Sequence, residues 1–215
     1  IRSFLRYLQG DDMKRLRIFA TTAMVALAAG TASAGDLDGL MENCNGCHGD
    51  GGVSQSSDVP SIAGIPEFVH ADALYIYMDE ARPCAESEYR HGDTSRPATT
   101  MCAITADMSE DDIDAIAAAY AEMPWVKAKQ DFDADLAANG EALHNEHCDR
   151  CHSDAGTNPD DEASMLGGQQ MGYLQAMFEQ YADGSREQPG KMKEKMDALS
   201  ADDAKALGHY YGSIQ

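Results

Sequence analysis

The residues best suited to chemistry in this chain form two copies of one five-residue pattern. Two cysteines separated by two residues are followed at once by a histidine, at Cys44, Cys47 and His48 and again at Cys148, Cys151 and His152. At this spacing, two thiols can add across the vinyl groups of a porphyrin while the adjacent imidazole takes an axial position on its iron. The pattern therefore predicts covalent attachment of haem c at two places.

Other chemistries use the C-x-x-C pair as well. One pair alone could belong to a thioredoxin-like redox site or to half of a zinc site. A zinc ribbon that used all four cysteines would leave unexplained the histidine after each pair and the methionines downstream of both. Haem attachment accounts for both complete copies.

The chain also repeats itself around these motifs. A shift of 104 residues places Cys44 on Cys148 and Arg82 on Arg186, and from Met101 onward a shift of 91 residues applies. Two homologous halves follow, and the first carries 13 extra residues between Arg82 and Met101.

In each half, apolar residues recur at the spacing expected of helices, and no segment shows a convincing alternation of apolar and polar residues that would indicate a strand. Ser109 with Asp112, and Ser200 with Asp203, predict a capping box at the start of the last helix of each half. The predicted fold is all-α, with two tandem class I cytochrome c domains that each bind one haem covalently.

A haem that only transfers electrons needs a second axial ligand, and methionine opposite histidine raises its reduction potential. Met101 and Met192 each precede the capping serine by eight residues and are equivalent in the repeat. They are the predicted sixth ligands. The rival methionines are Met196 in the second half and Met108, more weakly, in the first.

Five further histidines could replace methionine and give an iron of lower potential. None has an equivalent under the repeat, so we expect ordinary surface or hydrogen-bonded side chains. These histidines are His70, His91, His144, His147 and His209.

The remaining two cysteines are Cys84, inside the 13-residue insertion, and Cys102, directly after Met101. In an oxidising compartment they most simply pair as a disulfide. The alternative is a soft-metal site, copper for preference, built from both cysteines and His91.

The first 34 residues have the pattern of an export signal. Basic residues precede an apolar run at 18–29, and Ala32-Ser33-Ala34 suits cleavage before Gly35. Met13 is the expected start, and residues 1–12 are taken as upstream sequence or an artefact. The run is too short for a membrane span, so we expect a periplasmic protein.

These patterns predict a division of the chain into four parts. They are the removed segment 1–34, a first domain at 35–125 with its insertion at about 83–100, a linker at 126–135, and a second domain at 136–215.

The expected mature chain is strongly acidic. It carries 11 Lys and Arg against 35 Asp and Glu, a net charge of −24. Such a charge argues against binding to nucleic acid or anionic lipid. It suits a basic partner, or simply a solvated surface in a saline habitat.

Over the mature chain, the sequence resembles the diheme cytochrome subunits of flavocytochrome c sulfide dehydrogenase, relatives of the two-haem c-four cytochromes. Both haem motifs carry the resemblance, together with the stretches 127–133, 166–169 and 191–196. In class I cytochromes c a backbone carbonyl fixes the haem-ligating imidazole; Pro60 stands at that place in the first half and Ser164 in the second.

The resemblance implies an electron-transfer subunit that is not an enzyme by itself. A separate FAD-bearing subunit would form a heterodimer with it and oxidise sulfide, and a soluble cytochrome would accept the electrons. FAD would be bound by that partner only. Two alternatives stay open: a free-standing diheme cytochrome that serves a terminal oxidase, and catalysis at haem as in diheme peroxidases or thiosulfate-oxidising cytochromes.

Overall fold

A computed structural model describes residues 36–215, so the expected export signal lies outside the described residues. The α-helices are Leu37–His48 (α1), Glu67–Met78 (α2), Met101–Thr105 (α3), Glu110–Ala121 (α4), Ala134–His147 (α5), Ser153–Gly156 (α6), Met171–Ala182 (α7), Gly190–Met196 (α8) and Ala201–Ser213 (α9). Short 3-10 turns lie at Asp50–Gly52 and Pro159–Asp161. The all-α prediction is confirmed.

One feature of the fold escaped the sequence prediction. Within the insertion, Glu86–Ser87 (β1) and Thr99–Thr100 (β2) pair as antiparallel strands, with Glu86 opposite Thr100. Strands of two residues are too short to show an alternating pattern. Among the described residues no helix is long and apolar enough to cross a membrane.

The two predicted capping boxes are both present. The Asp112 amide donates to the Ser109 hydroxyl at 3.2 Å, and the Ser109 amide donates to the Asp112 carboxylate at 3.0 Å. Ser200 and Asp203 make the same pair of bonds, at 3.2 and 2.9 Å. Because each box satisfies free amides of the first turn, it fixes where α4 and α9 begin.

Each half packs an apolar core around its last helix. In the first half α4 packs against α1 and α2, and in the second α9 packs against α5 and α7. The two core centres are Ile62, Leu74, Ile113, Ile116 and Tyr120, and Leu174, Phe178, Leu207, Tyr210 and Tyr211. A Cβ at Gly140 would collide with the Ala206 carbonyl, so glycine there allows the close approach of α5 and α9.

Buried polar contacts join the halves. The Gln169 side chain accepts a hydrogen bond from the Ser61 amide at 2.8 Å and donates to the Ser61 carbonyl at 2.9 Å. Gln170 donates to the Ser54 carbonyl at 2.7 Å. Since buried polar groups are costly when unpaired, these bonds specify how the two halves meet.

Two of the five further histidines, His70 and His144, are buried rather than on the surface. His70 is 5% exposed, and among the described residues its Nδ1 has no hydrogen-bond partner. His144 is 1% exposed; its Nδ1 lies 3.0 Å from the Tyr211 hydroxyl, but its Nε2 makes no hydrogen bond within residues 36–215. Burial lowers the pKa of His70 to about 4 and also lowers the pKa of His144.

Buried His70 should make the protein sensitive to acid. Below the unfolded pKa of about 6.5, the unfolded chain binds a proton that folded His70 rejects until about pH 4, so stability falls as pH falls through this window. Leucine is the residue at the equivalent position 174. His70→Leu should therefore change the free energy of unfolding more favourably at pH 5 than at pH 7, by roughly 2 kcal/mol. Urea unfolding of both proteins at the two pH values measures this difference.

The reciprocal change provides the control. Leu174→His should introduce the same acid sensitivity into the second half. A stability difference between wild type and His70→Leu that does not change with pH would contradict the interpretation.

Candidate haem-attachment sites

The first site lies at the end of α1. His48 is 7% exposed, and its Nδ1 lies 2.8 Å from the Pro60 carbonyl, as predicted. Because a carbonyl only accepts, Nδ1 carries the proton and the lone pair of Nε2 is left for a metal. Burial lowers the pKa of His48, which keeps the imidazole in the neutral form that coordinates iron.

The second site has the same arrangement, with a longer distance from the imidazole to the backbone carbonyl. The motif follows α5 as a turn in which the Cys151 and His152 amides both donate to the Cys148 carbonyl at 3.0 Å. Nδ1 of His152 lies 3.3 Å from the Ser164 carbonyl, so Ser164 does replace Pro60 here. Burial lowers the pKa of His152 as well.

Three of the four motif thiols differ from those of thioredoxin-type sites. Burial raises the pKa of Cys44 to about 11 and also raises the pKa values of Cys47 and Cys148. Thioredoxin-like chemistry needs a thiolate with a lowered pKa. Between residues 36 and 215, no three His, Cys, Asp or Glu side chains are grouped to hold a metal ion.

The candidate sixth ligands have different surroundings. Met101 begins α3 and packs against the first core. Met192 is half-buried on α8, whereas it is Met196, one turn later, that packs against the second core. Met101 and Met192 remain predictions that rest on the repeat, with Met196 as the rival.

Cys84 and Cys102 are paired as a disulfide, with their Cα atoms 5.8 Å apart. Of the two alternatives, the structure thus shows the disulfide. Since Cys102 follows Met101, the bond ties the insertion to the first turn of α3.

Arg82 and Arg186 are equivalent under the repeat, and their side chains meet, which the sequence alone does not show. Both guanidinium groups donate to the sulfur of Met177, each at 2.8 Å. Arg82 lies 4.2 Å over the Tyr77 ring, and Arg186 lies 4.7 Å over the Tyr181 ring. The two arginines therefore form one cluster, with equivalent partners from each half.

This cluster lacks an anion. Arg82 is 3% exposed, its Nε has no partner, and in the described part of the chain neither arginine pairs with a carboxylate. A thioether is a weak acceptor, so two cations that share one are poorly compensated. Haem carries two propionate carboxylates, and the site residues fit such a group. The sequence signal was the equivalence of the two arginines under the repeat.

The chain is similar to several known proteins. Residues 135–210 match the family model of cytochrome c oxidase, cbb3-type, subunit III. Two curated relatives are thiosulfate dehydrogenase electron acceptors, from Thiomonas intermedia (strain K12) and Stutzerimonas stutzeri (strain A1501). Both are 28% identical to this chain; they cover 81% and 80% of it, and each match spans 78% of the relative.

Solved structures show the same fold. Cytochrome c4 of Pseudomonas stutzeri superposes with a TM-score of 0.67 at 24% identity, over 85% of this chain and 98% of that one. Thiosulfate dehydrogenase of Marichromatium purpuratum gives 0.60 at 25% identity, over 79% of this chain but 36% of that one. The chain therefore has the all-α fold of cytochrome c domains.

Proposed function

We propose that this chain holds two covalent haems and accepts electrons from a separate thiosulfate-oxidising subunit, then passes them to a soluble acceptor. The observation that carries the two-haem proposal is the pair of imidazoles, His48 and His152, whose Nδ1 atoms face backbone carbonyls beside complete C-x-x-C-H motifs. When bound, haem supplies reversible one-electron chemistry at iron. Cys44, Cys47, Cys148 and Cys151 would attach it, with Met101 and Met192 as sixth ligands.

Thiosulfate is the favoured source of electrons because two relatives are named as electron acceptors of its dehydrogenase. Coupling two thiosulfate ions through a sulfur–sulfur bond releases two electrons, one for each haem. The chain itself does no sulfur chemistry in this proposal, and it would work in the periplasm. The resemblance to the flavocytochrome subunit leaves sulfide, oxidised by an FAD-bearing partner, as the competing substrate.

The haem count tests the core of the proposal. Cys148→Ser combined with Cys151→Ser should reduce covalently bound haem from two to one per denatured chain, because both thioether bonds of the second site are lost. The measurement is intact mass together with haem absorbance of unfolded protein.

A matched pair of cysteines serves as the control. Cys84→Ser combined with Cys102→Ser removes two cysteines and a disulfide but should leave two haems. Fewer than two haems in the wild-type chain would overturn the proposal.

The substrate is tested on the complex purified from its native source. We expect thiosulfate to reduce the haems of the complex but not of the isolated chain. Sulfide reduces many haems directly, so its rate must be compared with and without the partner. A co-purified FAD protein, with reduction by sulfide that depends on that protein, would replace thiosulfate by sulfide.

A further inference from the structure

The two attachment sites differ in exposure. We propose that protein redox partners exchange electrons with this chain at the second site. Residues 83–100, which we call the cover, keep such partners away from the haem of the first site. This proposal rests on the two-haem function proposed above.

The cover lies on the turn between the first two haem-motif cysteines. The Arg90 and His91 amides donate to the Gly46 carbonyl at 2.7 and 3.0 Å. Tyr89, 6% exposed, is packed so closely that a Cβ at Gly46 would stand 2.6 Å from its ring. The Glu88 carbonyl lies 3.6 Å from the sulfur of Cys47.

Several anchors hold the cover in place. Arg96 lies 3.8 Å over the Tyr89 ring and donates to the Asn43 side chain of α1 at 2.8 Å. Arg90 makes two hydrogen bonds to the Asp58 carboxylate, at 2.8 and 2.7 Å. The Cys84–Cys102 disulfide closes its base. The cover is thus attached to α1, to the following loop and to α3.

The second site has no such cover. Arg150 replaces Gly46 at the equivalent position, and Cys151 is exposed. Within residues 36–215, no hydrogen bond links Arg150 or Cys151 to a segment outside the motif. The same motif is therefore covered in one half and open in the other.

Exposure of these cysteines matters because each sulfur becomes a thioether on the porphyrin edge. Whatever covers Cys47 also covers that edge, and electron transfer between proteins slows steeply as the distance between edges grows. Tyr89 and Glu88 add a layer of protein at the first site. At the second site a partner can approach the edge beside Cys151, which fixes the location of the proposed contact.

The surroundings of Cys151 indicate the partner's charge. The Asp161 carboxylate accepts hydrogen bonds from the Ser153 amide at 2.6 Å and from its hydroxyl at 2.7 Å, which holds the turn at 159–162 beside the motif. Asp160 and Glu162 of that turn are exposed, as are Asp149 and Arg150 inside the motif, so these four residues comprise three acidic side chains and one basic one. A partner with a basic, lysine-rich surface complements this face.

Charge reversal at each site provides a matched test. The probe is a lysine-rich mammalian cytochrome c, with electron exchange followed by stopped flow at low ionic strength. Asp160→Lys should slow the second-order rate about tenfold, because it opposes the steering of a basic partner. Glu88→Lys makes the same change in net charge at an exposed residue of the cover and should change the rate less than about twofold.

Cross-linking gives a readout that does not depend on rates. Carbodiimide joins carboxylates to lysines in contact, and we expect links at Asp160 and Glu162. Links confined to Glu86, Glu88 and Asp93 would overturn the proposal, as would a larger effect of Glu88→Lys than of Asp160→Lys.

Removal of the cover should open the first site. Because Glu86 pairs with Thr100, an Asn-Gly turn can replace residues 87–99. The exchange rate should rise about twofold, since two haems become reachable instead of one; an unchanged rate would mean that the cover does not insulate. The haem count shows which hypothesis fails. A wild-type chain with fewer than two haems contradicts the proposed function. Cross-links confined to the cover, a larger effect of Glu88→Lys, or an unchanged rate after removal of the cover, each with two haems bound, contradict only this inference.

Discussion

Replacing Met192 with histidine should lower the reduction potential of the second haem by a few tenths of a volt, a sizeable part of the roughly 0.8 V range that axial ligands span. A thioether favours the ferrous state, whereas a second imidazole donates more strongly and favours the ferric state. The first haem should keep its potential, because its ligands are unchanged. Spectroelectrochemical titration would then resolve two well-separated steps.

Met196 makes this test decisive, since the repeat and the packing point to different methionines. Met192 is the equivalent of Met101, but it is Met196 that packs against the second core. Met196→Leu keeps the side-chain volume and should cost less than about 1.5 kcal/mol of stability without changing the potential. Because the first haem, with Met101, keeps its own thioether-to-iron absorption band, the loss of one ligand shows as a fall of about half in band intensity. If Met196→Leu halves the band and Met192→His leaves it at full intensity, the assignment is wrong.

Features of the chain that depend on local pattern were predictable. The capping boxes at Ser109 and Ser200 follow from residues three apart, and both are present. The contact from His48 to the Pro60 carbonyl was also found where the motif and the family resemblance placed it. In each case the interacting residues lie within 12 positions of one another, so a short stretch of sequence contains the whole interaction.

Contacts between distant residues were not predictable in this way. Arg82 and Met177 are 95 positions apart, and Gln169 and Ser61 are 108 apart. A single sequence shows that such residues are present but not which tertiary packing brings them together. The burial of His70 without a hydrogen bond at Nδ1 was missed for the same reason, because it is a property of the packed fold.

For the cover, some properties were predictable from the sequence and others were not. Its existence followed from 13 unmatched residues in the repeat, and a disulfide was expected from two unassigned cysteines. Its position over Gly46 depends on Tyr89 and Arg96, which have no special spacing in the sequence. The repeat therefore predicted that the halves differ, while the structure showed that the difference lies at the first haem motif.

Arg82→Gln should destabilise the haem-loaded protein by about 3–5 kcal/mol, the usual cost of removing one partner from a buried charge pair. Arg82 is 3% exposed, and its side chain contacts the Met177 sulfur, the Tyr77 ring and Tyr173, none of which is a carboxylate. We expect haem propionate to be its missing counter-ion. Loss of this positive charge should also lower the haem potential, because a nearby cation favours the reduced iron.

Arg90→Gln provides the matched control at the surface. Arg90 pairs with Asp58, whose side chain is 69% exposed, so its loss should cost less than about 1 kcal/mol. Urea unfolding of both variants, each with its full haem content, compares the two effects on stability, and spectroelectrochemistry of Arg82→Gln measures the change in potential. The sign of the change in the free energy of unfolding distinguishes the two cases. An unpaired buried charge is costly. If Arg82 faces no anion in the haem-loaded protein, its removal should therefore leave stability unchanged or increase it. A stabilised Arg82→Gln protein would therefore exclude propionate pairing at the junction of the two halves.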